Sequence, residues 1–251
     1  MRQVIRLALT RRAQAYLDER QSAVDQRSAL GTLDIEREWK TARQTRTIGT
    51  VLKSLQQMMG VRERCMYCVD SHGSDIEHFR PKSRYREFSF QWPNMLLCCT
   101  ECGRFKGDQF PMANGQPMLI DPTVEDPWQH LDFDPDTGNL TARFDLQAGD
   151  WSARGVKTVE VLRLDRREAM AAGYARTFRY LGSIVQRFLA PGVEGAMTAT
   201  GLLAELREAD EHGLLSWCLR GAGQSIQPFD TLRTQCPQIW ADCLAATQGP
   251  G

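Results

Sequence analysis

The chain has 251 residues, 42% of them apolar and 25% charged, so it can bury the core of one large domain or two small ones. It carries 31 basic and 31 acidic residues, so its overall charge does not indicate a nucleic-acid partner, and a polyanion site must come from local clustering. No apolar run approaches the roughly 18 residues of a membrane helix or the core of a secretion signal, which predicts a cytoplasmic protein without a membrane partner.

The first 60 residues show the spacing of helices. Apolar side chains recur at intervals of three and four residues from Val4 to about Gly60, as they do on the buried face of an α-helix. Thr32 and Asp34 are candidate helix caps, and Gly60 is a candidate stop. We expect residues 1–60 to form a helical arm that leads into a cysteine-rich segment.

Two Cys-x-x-Cys pairs follow this arm, Cys65 with Cys68 and Cys99 with Cys102. Each two-residue spacer lets two sulfurs reach one ion, and in a reducing cytosol four such thiolates predict tetrahedral zinc. Cys98 competes with Cys99, but its spacing to Cys102 is wider than the spacing of the first pair. Because four thiolates leave no coordination position for water, we expect a structural zinc that pins two distant segments.

An acidic residue and a histidine, Glu77 and His78, lie between the two pairs. Histidine changes charge near neutral pH and can take a proton from water, and a neighbouring carboxylate can hold Mg²⁺ or Mn²⁺. In a regular strand the two side chains would face opposite sides. Both can therefore serve one site only if the strand ends or bends there, and Pro81 favours an early end.

Basic residues alternate after this doublet, at Arg80, Lys82, Arg84 and Arg86. In an extended segment they would share one face and offer a row of phosphate contacts, with Arg80 and Lys82 binding substrate. An equally weighted interpretation is a solvated charged edge that discourages pairing with another strand.

Residues 111–150 are rich in proline and predict short strands. The candidate strands are Met118–Ile120 and Leu140–Phe144, with a hairpin turn at 136–139 between Phe133 and Leu140. We expect this segment to connect a zinc-bound module, residues 61–110, to a helical region at residues 151–251.

Helices return in the C-terminal region. The candidate helices are Val156–Arg167, Arg167–Leu189, Ala199–Arg220 and Thr231–Ala246, with breaks at Pro191-Gly192 and 221–223. The remaining cysteines, Cys218, Cys236 and Cys243, lack paired spacing and are expected to be buried free thiols. The predicted fold is α+β and mostly helical, with a central zinc-stapled module between two helical regions.

The central module resembles the HNH motif, also called ββα-metal, of metal-dependent nucleases. The resemblance rests on the two Cys-x-x-Cys pairs, Glu77-His78, Asn94 and Lys106. A wider resemblance, from about Trp39 to Phe133, is to PtuB, the HNH subunit family of Septu-type anti-phage systems. It rests on four phrases, which are Asp75–Lys82, Gln91–Leu96, Lys106–Pro111 and Leu119–Thr123.

The resemblance implies an HNH endonuclease, with DNA favoured over RNA as its substrate. It implies that His78 is the general base, that Glu77 is a ligand of a catalytic Mg²⁺ or Mn²⁺, and that Asn94 orients His78. It also implies that Lys106 lies near phosphate. The family further implies a partner, an ABC/SMC-like ATPase (PtuA), whose nucleotide state controls the nuclease. Its occurrence in some retrons adds a reverse transcriptase and its non-coding RNA or DNA to the implied partners.

One position departs from the HNH pattern. Proteins of this type usually carry Asn or His directly after the last cysteine, as a metal ligand, where this chain has Gly103. Water could replace that ligand, or Asp108, Asp75 or His72 could supply it. The departure keeps a second interpretation open, a non-catalytic or degenerate zinc module that docks nucleic acid or the ATPase.

Overall fold

The computed structural model describes residues 1–190 and 198–246 of the chain. The chain divides into two compact units, one formed by Val4–Glu125 and the other by Met1–Gln3 with the chain from Asp126 onward. The fold is α+β and mostly helical, as the sequence predicts. Within the described residues each sheet is a pair of antiparallel strands.

The first unit begins with helices, which are α1 (Arg11–Ala29), α2 (Ile35–Ala42) and α3 (Arg46–Met58). Asp34 caps α2 as predicted, since its side chain accepts a hydrogen bond from the Arg37 N–H at 3.0 Å. Gly60 follows the end of α3 with a φ of 75°, which suits its predicted role as a stop. Thr32 begins no helix, and its N–H instead donates to the Arg27 carbonyl at the end of α1, at 3.0 Å. The arm is therefore helical but broken by two short connections.

The segment before α1 corrects the predicted helix, since residues 4–10 are not helical. The Val4 N–H donates to the Pro122 carbonyl at 2.8 Å. The Arg6 guanidinium donates to the carbonyls of Trp92 and Met95 at 2.9 and 3.0 Å. Partners this distant in the chain determine the backbone of the segment, so local apolar spacing could not reveal it.

A strand–strand–helix arrangement forms the centre of the first unit, with β1 (Asp75–His78), β2 (Met95–Cys98) and α4 (Thr100–Lys106). The strands are antiparallel, with Glu77 opposite Leu96 and His78 opposite Met95. β1 ends at His78, as Pro81 predicts. The ends of β1 and α4 therefore carry the residues singled out for chemistry.

Short hairpins follow, built from β3 (Met112–Ala113), β4 (Gln116–Pro117), β5 (Leu131–Phe133), β6 (Leu140–Ala142), β7 (Phe144–Asp145) and β8 (Asp150–Trp151). The predicted hairpin between Phe133 and Leu140 is confirmed. The predicted strand at Met118–Ile120 is wrong, because β3 and β4 pair around Asn114-Gly115, earlier in the chain. Both turn residues have positive φ, 49° and 75°, which a tight hairpin requires.

The second unit contains the remaining helices, which are α5 (Ala153–Leu162), α6 (Glu168–Phe188), α7 (Ala199–Ala209), α8 (Leu215–Arg220), α9 (Phe229–Gln235) and α10 (Pro237–Ala246). The predicted helix 199–220 is broken, because the Asp210 carboxylate accepts the N–H groups of Leu214 and Leu215 at 2.8 and 3.0 Å. The predicted helix 231–246 is broken before Pro237, which cannot continue the preceding helix. The predicted break at Pro191-Gly192 lies outside the described residues.

Of the three downstream cysteines, Cys218 and Cys243 are buried as predicted, and Cys236 is partly exposed. In the described ranges, no helix has the length and apolar character needed to cross a membrane.

Candidate functional site

The four predicted cysteines come together in the first unit. The sulfurs of Cys65, Cys68, Cys99 and Cys102 all lie within 4.8 Å of one another, and all four residues are buried. The sulfurs of Cys68 and Cys99 are 3.8 Å apart. Zinc–sulfur bonds of about 2.3 Å in a tetrahedron give sulfur–sulfur distances of about 3.8 Å. The donor set therefore fits a structural zinc, as the sequence predicts.

Hydrogen bonds of the backbone N–H groups shape both halves of this cysteine group. The Val69 N–H donates to the Cys65 carbonyl at 2.9 Å, and the Cys65 N–H donates to the Ser71 carbonyl at 2.9 Å. Cys99 caps α4, where its sulfur lies 3.4 Å from the N–H of Cys102. A tight turn and a helix start thus aim their thiols at a common point. One ion there would join the segment before β1 to the start of α4.

Cys98, the last residue of β2, is not one of the four mutually close sulfurs, although its thiol interacts with that of Cys65. Its thiol donates to the Cys99 carbonyl at 3.2 Å. The structure therefore groups Cys99, rather than Cys98, with Cys102.

Glu77 and His78 line one cleft of about 920 Å³ in the first unit. Both residues line the cleft although successive side chains of a strand point to opposite faces, because β1 ends at His78. The rest of the lining comes from α2 with its flanking residues, from the start of β1, and from the turns at 81–83 and 107–108.

His78 is held as a neutral imidazole. Its Nε2 lies 2.8 Å from the Ser89 carbonyl oxygen, and a carbonyl can only accept, so Nε2 carries the proton and Nδ1 keeps its lone pair. The Trp39 ring packs edge-on against it, with ring centroids 4.4 Å apart. Burial lowers the pKa of His78 to about 3. The ring is therefore neutral at physiological pH, with Nδ1 able to accept a proton.

Glu77 is neutralised by a lysine from α4. The Lys106 ammonium donates to Glu77 Oε1 at 2.8 Å and to the His78 carbonyl at 2.8 Å, and its side chain is fully buried. Burial raises the pKa of the Glu77 carboxyl, and the charge of Lys106 opposes that rise. The ammonium does not reach the cleft, so its position does not favour the predicted contact with phosphate.

Gly103 leaves space beside the second oxygen of Glu77. A Cβ at position 103 would lie 3.7 Å from Glu77 Oε2 and 3.8 Å from the Cys98 sulfur, which is ordinary contact distance. A longer side chain at position 103 would therefore begin next to the Glu77 carboxylate. Among the candidate replacement ligands, Asp75 and Asp108 line the cleft and His72 does not.

Asn94 holds the chain that follows β1. Its Nδ2 donates to the carbonyls of Arg80 and Phe88 at 3.1 and 3.0 Å, and its Oδ1 accepts from the Arg80 N–H at 2.7 Å. Phe88 precedes Ser89, whose carbonyl accepts from the His78 ring. Asn94 therefore ties together the two ends of the loop that positions His78.

The alternating basic residues do not form a row, which corrects that expectation. Pro81 begins a turn, and its carbonyl accepts backbone N–H groups at 2.9 and 3.1 Å, so the segment is not extended. The Arg80 guanidinium packs over the Phe88 ring at 4.7 Å. Lys82 lines the cleft and forms an ion pair with Glu36 at 3.0 Å. Of the basic residues predicted to bind substrate, Lys82 is the one that the cleft exposes.

Sequence reasoning missed the contribution of α2. Trp39 packs on the His78 ring, and Arg37, Lys40 and Arg43 line the same cleft. The helical spacing of Ile35, Trp39 and Ala42 predicts a buried face, but it does not indicate what that face covers.

Comparison with known proteins gives one informative relative. No family model matches the chain. Septu protein PtuB from Bacillus thuringiensis is 29% identical over 108 residues, which is 41% of this chain and 37% of that protein. The match thus spans little more than a third of that relative's length. The chain is similar to PtuB of Septu systems, in agreement with the resemblance seen in its motifs.

Proposed function

We propose that this chain is a metal-dependent HNH-type nuclease that cuts nucleic-acid phosphodiesters, with DNA favoured over RNA. One observation carries the proposal: Glu77 and a neutral histidine, whose Nδ1 keeps its lone pair, line the same cleft. The strand–strand–helix order and the cysteine group that fits zinc are in keeping with a ββα-metal module.

The protein groups divide the work of hydrolysis. His78 Nδ1 takes a proton from the water that attacks phosphorus, while the Ser89 carbonyl keeps the ring in the required tautomer. Asn94 fixes the loop that carries that carbonyl. As the water oxygen bonds to phosphorus, the bond to the leaving oxygen breaks and that oxygen is protonated from solvent. Burial lowers the pKa of His78 and so weakens the base, and the negative charge of a phosphate bound in the cleft would raise that pKa for the transfer.

Glu77 would hold the divalent ion through Oε2, on the side that Gly103 leaves open. One carboxylate suits Mg²⁺ or Mn²⁺, because such ions commonly keep several waters and bind substrate phosphate directly. When bound, the ion supplies stabilisation of the negative charge on the phosphate and the leaving oxygen. Lys82 lies on the same cleft, where it can contact the strand.

We further infer a cytoplasmic anti-phage complex with an ABC/SMC-like ATPase, in which this chain is the effector. The similarity to PtuB of Septu systems supports this setting. A retron reverse transcriptase with its RNA or DNA is a further candidate partner on the same ground.

Cleavage of plasmid DNA and structured RNA in Mg²⁺ and Mn²⁺ tests the nuclease. We expect the zinc-loaded wild type to cut, and His78→Ala and His78→Gln to lose cleavage. Glutamine can still donate to the Ser89 carbonyl, so its failure would identify the lost proton acceptor as the cause. His72→Ala is the matched histidine control, since that side chain is exposed and outside the cleft. No cleavage by the wild type, with zinc bound and the ATPase present, would overturn the proposal.

The second candidate is a non-catalytic module that docks nucleic acid or the ATPase. It is favoured by Gly103, which offers no ligand, and by Lys106, which neutralises Glu77 without a metal. Such a module would bind its partner equally well with His78→Gln, and no variant at that position would change a cleavage rate.

A further inference from the structure

The exposed side of α2 forms one wall of the cleft. The helix buries Ile35, Trp39 and Ala42, and Trp39 packs directly on the His78 ring. Residues at intervals of three follow each other along one side of a helix, so Arg37 and Lys40 lie there together. Arg43, which caps the C-terminus of the helix, extends the same line. All three basic residues line the cleft that contains His78, and all three are exposed.

The acidic residues of α2 are already paired. Glu38 binds Arg20 at 2.6 Å and also contacts Arg27, and both of those arginines come from α1. Glu36 binds Lys82 at 3.0 Å. The positive charges of the wall are therefore not cancelled by carboxylates of their own helix.

The basic residues of the wall remain available. Within the part of the chain that the structure describes, neither Arg37 nor Lys40 takes part in an ion pair. Arg43 contacts Asp75 at 3.5 Å, with both side chains more than half exposed, and such a pair contributes little. A row of side chains at residues 37, 40 and 43 spans roughly 9 Å at 1.5 Å per residue. Since phosphates of one strand recur about every 3.4 Å along a duplex, that length covers two or three phosphates.

We propose that Arg37, Lys40 and Arg43 bind the phosphodiester backbone of the nucleic-acid strand and position it next to His78. This proposal rests on the proposed function, and it assigns strand binding to a helix outside the strand–strand–helix module. The carboxylates that also line the cleft repel phosphate, and they are Asp34, Glu36, Asp75, Glu77 and Asp108. Glu36 is paired with Lys82 and Asp34 accepts from the first turn of α2, so the strand follows the basic side chains of the α2 wall. DNA and RNA share this backbone chemistry, and probes of both kinds distinguish them.

The test is equilibrium binding of labelled oligonucleotides, measured by fluorescence anisotropy over a series of salt concentrations without Mg²⁺ or Mn²⁺. The probes are single-stranded DNA, duplex DNA and RNA of one sequence. The variant carries Arg37→Gln, Lys40→Gln and Arg43→Gln, which removes three charges and keeps good helix formers. The matched control carries Arg12→Gln, Arg46→Gln and Lys53→Gln, three exposed basic residues of the same unit that do not line the cleft.

We expect the α2 variant to bind at least tenfold more weakly at about 0.1 M salt. The slope of log affinity against log salt should fall by about two units, since each lost phosphate contact removes about 0.7 to 0.9. The control should keep the wild-type slope, and so should Arg37→Lys with Arg43→Lys, which retains the charge. An α2 variant with the wild-type slope, or a wild type that binds none of the probes, would overturn the proposal. Zinc content and circular dichroism verify that each variant is folded.

Cleavage of the same probes in Mn²⁺ separates this proposal from the nuclease proposal. A wild type that cuts, with a salt slope that the α2 variant does not change, would refute the α2 wall and leave the nuclease standing. A wild type that binds through α2 but cuts nothing would support the wall and remove the nuclease.

Discussion

The Lys106 ammonium and the Glu77 carboxylate form a buried ion pair across α4 and β1, with Nζ 2.8 Å from Oε1. The same ammonium donates to the His78 carbonyl, so one lysine provides hydrogen bonds to each of the last two residues of β1. Removing one partner of a buried pair leaves an uncompensated charge, which costs far more than the pair contributes.

Lys106→Met should therefore lower the free energy of unfolding by about 3–5 kcal/mol, measured by urea denaturation of the zinc-loaded protein. Lys106→Met combined with Glu77→Gln leaves no buried charge. We expect that double variant to lose about 1–3 kcal/mol less than the sum of the single losses. Strict additivity would show that the two groups do not interact.

Gly103→Asn should create a tighter divalent site at Glu77. The new Cβ meets Glu77 Oε2 at 3.7 Å without a clash, and an amide oxygen from α4 can then share an ion with that carboxylate. We expect Mn²⁺ affinity, measured by electron paramagnetic resonance on zinc-loaded protein, to rise about tenfold or more.

Adding Glu77→Gln to Gly103→Asn provides the control, because it removes the carboxylate and should abolish the gain. An unchanged Mn²⁺ affinity in the single variant would show that position 103 does not face the ion.

The stability of the fold should fall in mild acid because of His78. Its pKa in the fold is about 3, against 6.5 ordinarily, so below pH 6.5 the unfolded chain takes up a proton that the folded chain does not. The stabilisation is complete above pH 6.5 and is lost as the pH falls toward 3. Between pH 7 and 5 the wild type should lose about 2 kcal/mol more than His78→Gln. Urea denaturation of both proteins at each pH measures the difference, and parallel pH profiles would contradict it.

Two neighbouring cysteines should respond oppositely to the same substitution. Cys99→Ser removes one of four thiolates from a site that binds with about 10–16 kcal/mol, so zinc affinity should fall roughly a hundredfold. Cys98→Ser should keep full zinc occupancy, because that sulfur lies outside the group. Chelator competition followed by elemental analysis measures both, and loss of zinc from Cys98→Ser would reverse the assignment.

Features with local causes could be predicted from the sequence. Two-residue spacing places paired thiols on one ion, a capping aspartate begins α2, and Pro81 ends β1 soon after His78. In each case the physical cause lies within a few residues of the feature. The hairpin around Gly138, whose φ is 79°, belongs to the same class.

Features with distant causes escaped prediction. Arg6 anchors its segment through carbonyls that lie more than 80 residues away. The His78 ring donates its hydrogen bond to the backbone carbonyl of Ser89. Every residue has a backbone carbonyl, so the sequence cannot indicate which one the ring will contact. The α2 wall faces the cleft only because Trp39 packs on His78, a contact between elements that local spacing cannot specify.

With an ion bound, the four-cysteine group would also act as a cross-link. An ion that joins Cys68 to Cys99 closes a loop of 31 residues, and that loop contains β1, His78 and Asn94. A covalent bridge of that span would reduce the entropy of the unfolded chain by an amount worth roughly 3–4 kcal/mol. Opening the cleft by local unfolding would thus be coupled to release of the ion. Zinc loading should slow backbone amide exchange throughout this loop by a similar factor. The fraction of molecules with a folded cleft would then depend on the concentration of available zinc.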